Sequence, residues 1–183
     1  MFMRSICFLI LFSFFQNAQG QDLCKEIKKD VSADKFQYDF FSPYSESSLP
    51  SIRIARTVNT DPEANYDNFF IIFRITTPDV SSFYTKNPDG TMVEKEEKTM
   101  TVEFDDKSVI STDTVQIAHD ISDDKTDAIR SLFFPLTDAN LGDFTSKKIV
   151  KFSLGGYEKK FPADSAARIM QYIKCIQNSV PKQ

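Results

Sequence analysis

The sequence is poor in the residues on which most enzyme and metal chemistry depends. Its 183 residues include one histidine, three cysteines, five glycines and no tryptophan. A zinc site needs several histidine or cysteine ligands, which this chain lacks. It has no Gly-x-Gly-x-x-Gly or Gly-Lys-Ser/Thr loop for a nucleotide, and no Gly-x-Ser-x-Gly turn to present a serine nucleophile. The sequence therefore predicts no catalytic residue, and no cofactor apart from the calcium candidate below.

Positive charge and long apolar runs are also scarce. The chain has 22 basic and 26 acidic residues, and its net charge is −4. Nucleic acids and anionic membranes attract clustered positive charge, so we expect no nucleic-acid partner. The densest apolar stretch after the amino terminus, residues 69–73, lies between Asn68 and Arg74 and is too short to cross a bilayer. We therefore expect a soluble, acidic mature chain without a transmembrane segment.

The amino terminus has the three parts of a secretory signal. Arg4 supplies a charge, residues 6–15 form an apolar run, and the small residues Ala18 and Gly20 follow in a polar stretch. About ten apolar residues suit a signal and fall short of the ~20 that span a bilayer. We predict a signal peptide over residues 1–20, with a retained anchor as the alternative. The mature protein would then be secreted or periplasmic.

Two cysteines, Cys24 and Cys175, remain after this cleavage and lie near the two ends of the mature chain. An oxidising compartment favours a disulfide between them, whereas two buried thiols or intermolecular pairing are the alternatives. Closing a loop of this size restricts the unfolded chain by about 4 to 5 kcal/mol of free energy. A disulfide would also remove the thiolates that nucleophilic catalysis could use.

Helical periodicity occurs at both ends of the mature chain. Near the carboxyl end, Pro162 suits a first helical turn and precedes an apolar stripe that predicts a helix over Ala163–Gln177. Near the amino end, Leu23 and Ile27 predict a short helix over residues 22–30. Cys175 lies off the apolar stripe, so we expect the first helix to bind the outer side of the second.

Between these helices the apolar residues follow a period of two, which is typical of strands with one buried face. The pattern covers residues 36–40, 52–54 and 100–104, and further strands fit residues 114–118 and 129–136. Residues 69–75 are almost continuously apolar and predict a central strand. Residues 137–144 suit a short helical turn.

Three turn signals separate these segments. They are Asn87-Pro88-Asp89-Gly90, Asp105-Asp106 and Gly155-Gly156. We predict a mainly β domain over residues 21–183: an antiparallel β-sandwich, with a β-barrel or an α+β fold as alternatives, and the terminal helix packed on the sheet.

One loop offers a candidate calcium site. Five side-chain oxygens fall at alternate positions, on Asn59, Asp61, Glu63, Asn65 and Asp67. Such oxygens are the ligands that Ca²⁺ prefers, and they could converge if the loop coiled. The glycine usual at the sharp bend is missing, so an acidic solvated loop is the alternative.

His119, next to Asp120, is the one residue of the chain with the usual chemistry of a general base. We expect a strand-end histidine whose ring is hydrogen-bonded or solvated, with a catalytic role as the alternative. The mixed-sign run over residues 94–98 is expected to be a solvated surface.

These features lead to three hypotheses about function. The first is an exported, non-catalytic binding or structural domain whose partner is a protein or surface component. The second is a secreted or periplasmic hydrolase that uses carboxylates or His119. The third is a carrier that holds a small apolar ligand among phenylalanines. The fold class alone does not choose among them.

Overall fold

The structure is a computed structural model that describes residues 23–45 and 51–179. The signal peptide and its cleavage site lie outside these residues, so both stay predictions. The described residues form twelve β-strands, one 3-10 helix over Val80–Phe83 and two complete α-helices. The helices are α1 (Leu141–Ser146) and α2 (Ala163–Gln177). The strands are β1 (Lys28–Val31), β2 (Gln37–Phe41), β3 (Ser51–Asn59), β4 (Tyr66–Pro78), β5 (Tyr84–Lys86), β6 (Met92–Glu94), β7 (Met100–Phe104), β8 (Val109–Thr112), β9 (Ala118–Ile121), β10 (Asp127–Pro135), β11 (Ile149–Leu154) and β12 (Tyr157–Lys160).

The strands form three antiparallel sheets. The large sheet has the order β1-β2-β3-β4-β10-β9, the small sheet has the order β12-β11-β7-β8, and β5 pairs with β6 alone. β4 lies in the middle of the large sheet, as its apolar sequence predicts. Alternate residues of β4, from Phe69 to Ile75, face the core, and Phe70, Ile72 and Arg74 face the opposite side.

The large and small sheets share one core with the two helices. The Phe73 ring of β4 lies 5.0 Å from the Phe152 ring of β11, and Phe144 of α1 lies 5.3 Å from Phe104 of β7. The apolar stripe of α2 is buried in the same core. The predicted mainly β, antiparallel fold with a packed carboxyl-terminal helix is confirmed. The sheets of the described residues stay open, so the barrel alternative is not realised.

The two ends of the described chain meet at α2. Cys24 and Cys175 lie at disulfide distance, with their Cα atoms 5.3 Å apart. Beside them Glu26 contacts Arg168 and the Tyr172 hydroxyl of α2. Burial raises the pKa of Tyr172. The amino-terminal segment therefore contacts α2, although not as the helix over residues 22–30 that the sequence predicts.

Two predicted elements are wrong. The helix over residues 22–30 does not extend beyond Cys24, and Lys28 begins β1, whose backbone pairs with β2. A helix of nine residues has little stability of its own, so the sheet edge takes this segment. The strand over residues 114–118 is also wrong, because this segment crosses from the small to the large sheet and only Ala118 belongs to β9.

One type of hairpin turn occurs three times in the described residues. In each copy an aspartate precedes a lysine with positive φ, and the carboxylate accepts the N–H of the residue two positions beyond the aspartate, at 2.9 to 3.3 Å. This is a turn in which glycine usually takes the left-handed position. A serine hydroxyl lowers the pKa of each aspartate, that of Asp106 to about 2. The three pairs are Asp34-Lys35, Asp106-Lys107 and Asp124-Lys125.

The first prediction concerns the disulfide. Replacing Cys24 and Cys175 with serine should lower the free energy of unfolding by about 4 to 5 kcal/mol, because opening a closed loop of about 150 residues gives the unfolded chain more conformational entropy. Urea unfolding of the purified mature chain measures this. A reducing agent should destabilise the wild type and leave the double variant unchanged. Alkylation of both cysteines without reductant would contradict the pairing.

The second prediction concerns the turn between β9 and β10. Asp124→Ala should be less stable than the wild type at pH 7, because the carboxylate accepts hydrogen bonds from Ser122 and Thr126. The pKa of Asp124 is lowered on folding, so this stability exists above the unfolded value of 3.8 and is lost as pH falls below it.

The matched control is Asp123→Ala in the same turn, since the Asp123 carboxylate makes no hydrogen bond within the described residues. Thermal unfolding between pH 7 and 2 compares the variants. The gap between Asp124→Ala and the wild type should shrink with acid. Equal effects of the two substitutions at pH 7 would contradict the role of the turn.

Candidate functional site

The first candidate site is a cleft beside His119. Its volume is about 720 Å³, and it is lined by residues 94–98, by residues 113–117 and by His119. The first of these segments connects β6 to β7, and the second connects β8 to β9. The cleft therefore lies where the hairpin of β5 and β6, the small sheet and the edge of the large sheet meet.

Glu97, which lines this cleft, forms a buried ion pair with Arg130. Arg130 of β10 faces the core with no exposed side-chain area, and the Glu97 side chain is 6% exposed. The Arg130 Nε and Nη2 donate to the two Glu97 carboxylate oxygens at 2.7 and 3.0 Å. The guanidinium carbon lies 4.7 Å from the centre of the Phe83 ring and 3.7 Å from that of Tyr157. This geometry is the bidentate pairing that stabilises a buried arginine.

His119 extends this pair into a cluster of four charged or titratable groups. Its Nε2 lies 3.1 Å from Glu97 Oε2 and its Nδ1 lies 2.8 Å from Glu94 Oε1. Its ring stacks on Phe83 at 4.3 Å. Both ring nitrogens face carboxylates, so both contacts are hydrogen bonds only when both nitrogens carry protons. A neutral ring would donate to only one of the two carboxylates.

The sequence prediction for the run over residues 94–98 is wrong at Glu97, which is buried. The sequence signal for a buried ion pair lies in β10, where Arg130 shares the alternate positions of the strand with the buried residues Ala128, Leu132 and Phe134. An arginine in a buried series needs a carboxylate partner. That pattern predicts an ion pair, yet with 26 acidic residues in the chain it does not identify Glu97.

The second candidate site is the face of the large sheet that points away from the core. The register aligns Phe41, Ala55, Phe70 and Pro135 in one row across this face. The next row contains Arg53, Ile72 and Phe133, and the row after it contains Arg74 and Ser131. We call six residues of this face the outer-sheet patch: Phe41, Tyr44, Arg53, Phe70, Arg74 and Phe133.

The outer-sheet patch combines aromatic rings with two arginines. Phe133 is 59% exposed although it lies on an inner strand, and its ring contacts Phe70 edge-on at 6.4 Å. The Tyr44 ring lies 5.2 Å from the guanidinium carbon of Arg53 and 6.0 Å from that of Arg74. Neither arginine forms an ion pair with a carboxylate of the described residues. Sequence reasoning missed this patch because it depends on which strands are neighbours.

Three of the five candidate calcium ligands, Asn59, Asp61 and Asp67, already accept hydrogen bonds within the protein. Asn59 Oδ1 accepts the N–H of Asp61, and Asp61 Oδ1 accepts the N–H of Glu63. Asp67 binds Arg56 through both carboxylate oxygens, at 2.8 and 2.6 Å. Within residues 23–45 and 51–179, no cluster of three or more His, Cys, Asp or Glu residues is arranged to hold a metal ion. A calcium ion here would have to replace the pairing of Arg56 with Asp67, and calcium binding stays a prediction.

Comparison with known proteins gives no relative: the chain matches no protein-family profile, no curated protein and no solved structure. Among the described residues, no helix has the length and apolar character needed to cross a membrane. Evidence for function must therefore come from the geometry of the two candidate sites.

The third prediction tests the packing of Glu97 against the turn between β11 and β12. Gly155 and Gly156 both have positive φ, so alanine at either position costs roughly 1 to 2 kcal/mol of backbone strain. A Cβ atom on Gly155 would lie 2.3 Å from Glu97 Oε2, whereas one on Gly156 would meet nothing within 4 Å. Gly155→Ala should therefore destabilise the protein more than Gly156→Ala. Urea unfolding compares the two, and equal losses would show that Glu97 is not fixed by Arg130.

Proposed function

We propose that this protein is an exported, non-catalytic domain that binds another protein through the outer-sheet patch. The observation that supports this function is the patch itself: an aromatic and arginine-bearing sheet face that no helix or strand of the described residues covers. Exported location rests on the predicted signal peptide and on the proximity of Cys24 to Cys175.

The composition of the patch resembles that of protein interfaces. Aromatic residues and arginine are enriched in interfaces and account for most strong binding contacts, because they bury large areas with few rotatable bonds. A grouped apolar surface costs free energy in water unless a partner covers it. Phe133 and Phe70 form such a group on two neighbouring strands, with Phe41 in the same row as Phe70.

The two other hypotheses have less support. A hydrolase based on His119 would have a cleft. Both ring nitrogens, however, face the carboxylates of Glu94 and Glu97, and the ring stacks on Phe83. A carrier would need phenylalanines that line an empty volume. The core rings Phe73, Phe144 and Phe152 instead contact one another.

The fourth prediction tests the patch as a binding surface. A photo-crosslinking amino acid at position 133 should form a covalent adduct with one discrete protein when the mature chain is added to fluid from its own compartment. The same label at Val109 is the matched control, because this residue is also largely exposed but lies on β8 of the small sheet.

The adduct at position 133 should disappear when Phe70→Ser is introduced, while the thermal unfolding temperature stays close to that of the wild type. The substitution removes an aromatic contact of the patch and does not change the core. Equal adducts from positions 133 and 109, or an adduct that persists in Phe70→Ser, would contradict the proposal.

A further inference from the structure

We infer that the outer-sheet patch recognises an acidic segment of its protein partner, with a glutamate or aspartate carboxylate bound between Arg53 and Arg74. This inference rests on the proposed protein-binding function and specifies the chemistry of the partner.

The two arginines lie on neighbouring strands and share one aromatic residue. Arg53 pairs with Ile72 across β3 and β4, and Arg74 follows Ile72 by two residues on the same face. Both guanidinium groups contact the Tyr44 ring, and Arg53 also lies 4.7 Å from the Phe41 ring. The rings lie within cation–π distance of the guanidinium groups, whose N–H groups donate hydrogen bonds in the guanidinium plane.

Within the described residues, Arg53 and Arg74 make few hydrogen bonds. Arg53 Nε donates to the Ser42 carbonyl oxygen at 3.0 Å, which fixes the orientation of its side chain. Arg74 Nε is buried and has no hydrogen-bond partner among the described residues. A buried donor without an acceptor costs free energy.

The other arginines of the described residues contrast with this pair. Arg56 binds Asp67, Arg130 binds Glu97 and Arg168 binds Glu26. Arg53 and Arg74 lack such a carboxylate within the described residues. A carboxylate from a partner would supply the missing charge and the bidentate geometry that arginine favours.

The residues next to the arginine pair favour a protein partner. Phe70 and Phe133 lie next to the arginine pair and suit apolar side chains that flank a carboxylate. A polyanion such as a nucleic acid needs a broader basic surface, and the chain has a net charge of −4. A second copy of this chain, related by a two-fold axis at the patch, would place arginine against arginine.

The probe is a pair of synthetic peptides, acetyl-Gly-Leu-Glu-Phe-Glu-Leu-Gly-amide and the same peptide with both glutamates replaced by glutamine. The arginine Nε–Hε signals of the ¹⁵N-labelled mature chain report binding by NMR. The glutamate peptide should shift the signals of Arg53 and Arg74 and bind at least about tenfold more tightly than the glutamine peptide. Increasing salt should weaken the glutamate peptide only.

Arg53→Gln and Arg74→Gln should each abolish this tenfold preference. Arg168→Gln is the matched control, because Arg168 is a partly exposed arginine of α2 that is remote in sequence from the patch and already paired with Glu26. The double variant Arg53→Glu with Arg74→Glu should reverse the preference, so that a lysine version of the peptide binds more tightly than the glutamate version.

Equal binding of the glutamate and glutamine peptides would overturn the inference, and so would absence of binding by both. The crosslink at position 133 then distinguishes the two proposals. If the crosslink persists in the double variant Arg53→Gln with Arg74→Gln, the patch binds a protein without a carboxylate contact. If the protein with unchanged arginines forms no crosslink, the proposed binding function is wrong. A dimer in sedimentation that dissociates on Phe133→Ser would identify a second copy as the occupant and overturn the acidic partner.

Discussion

The buried pair of Arg130 and Glu97 is the interaction on which the rest of the structure depends. Arg130 belongs to the large sheet, and Glu97 lies in the segment that joins the hairpin of β5 and β6 to the small sheet. Tyr157 of the small sheet and Phe83 of the 3-10 helix enclose the guanidinium group. Because breaking a buried pair leaves a charge without a partner, at a cost of about 3 to 5 kcal/mol, this contact fixes how the three sheets are arranged.

This arrangement also places both ring nitrogens of the only histidine next to carboxylates. His119 is bound to Glu97 and reaches Glu94 at the end of β6, so its ring connects the hairpin to the edge of the large sheet. Gly155 has to be a glycine for the same reason, since the Glu97 carboxylate lies where its Cβ would be. Arg130, Glu97 and His119 therefore contact one another and connect the hairpin, the small sheet and the large sheet.

The sequence predicts the elements whose signals are local and fails where the outcome depends on distant residues. The alternation of β7 and the stripe of α2 each reflect one buried face, and the apolar run of β4 reflects a strand with apolar residues on both faces, so each could be recognised from a short segment. Lys28 to Val31 form a strand only because β2 offers them an edge. The partner of Arg130 and the neighbours of Phe133 depend on strand order, which no short segment encodes.

Arginines on the two faces of the large sheet differ in how their charge is balanced. On the inner face an arginine is desolvated, and a carboxylate of the same chain balances its charge. On the outer face Arg53 and Arg74 are held by aromatic rings, and no carboxylate of the described residues balances them. The chain thus pairs its buried arginine with a carboxylate of its own, and the described residues provide no such pairing for Arg53 and Arg74. Within the described residues the outer pair lies against aromatic rings and has no carboxylate partner, which is the geometry that an acidic group of a partner would complete.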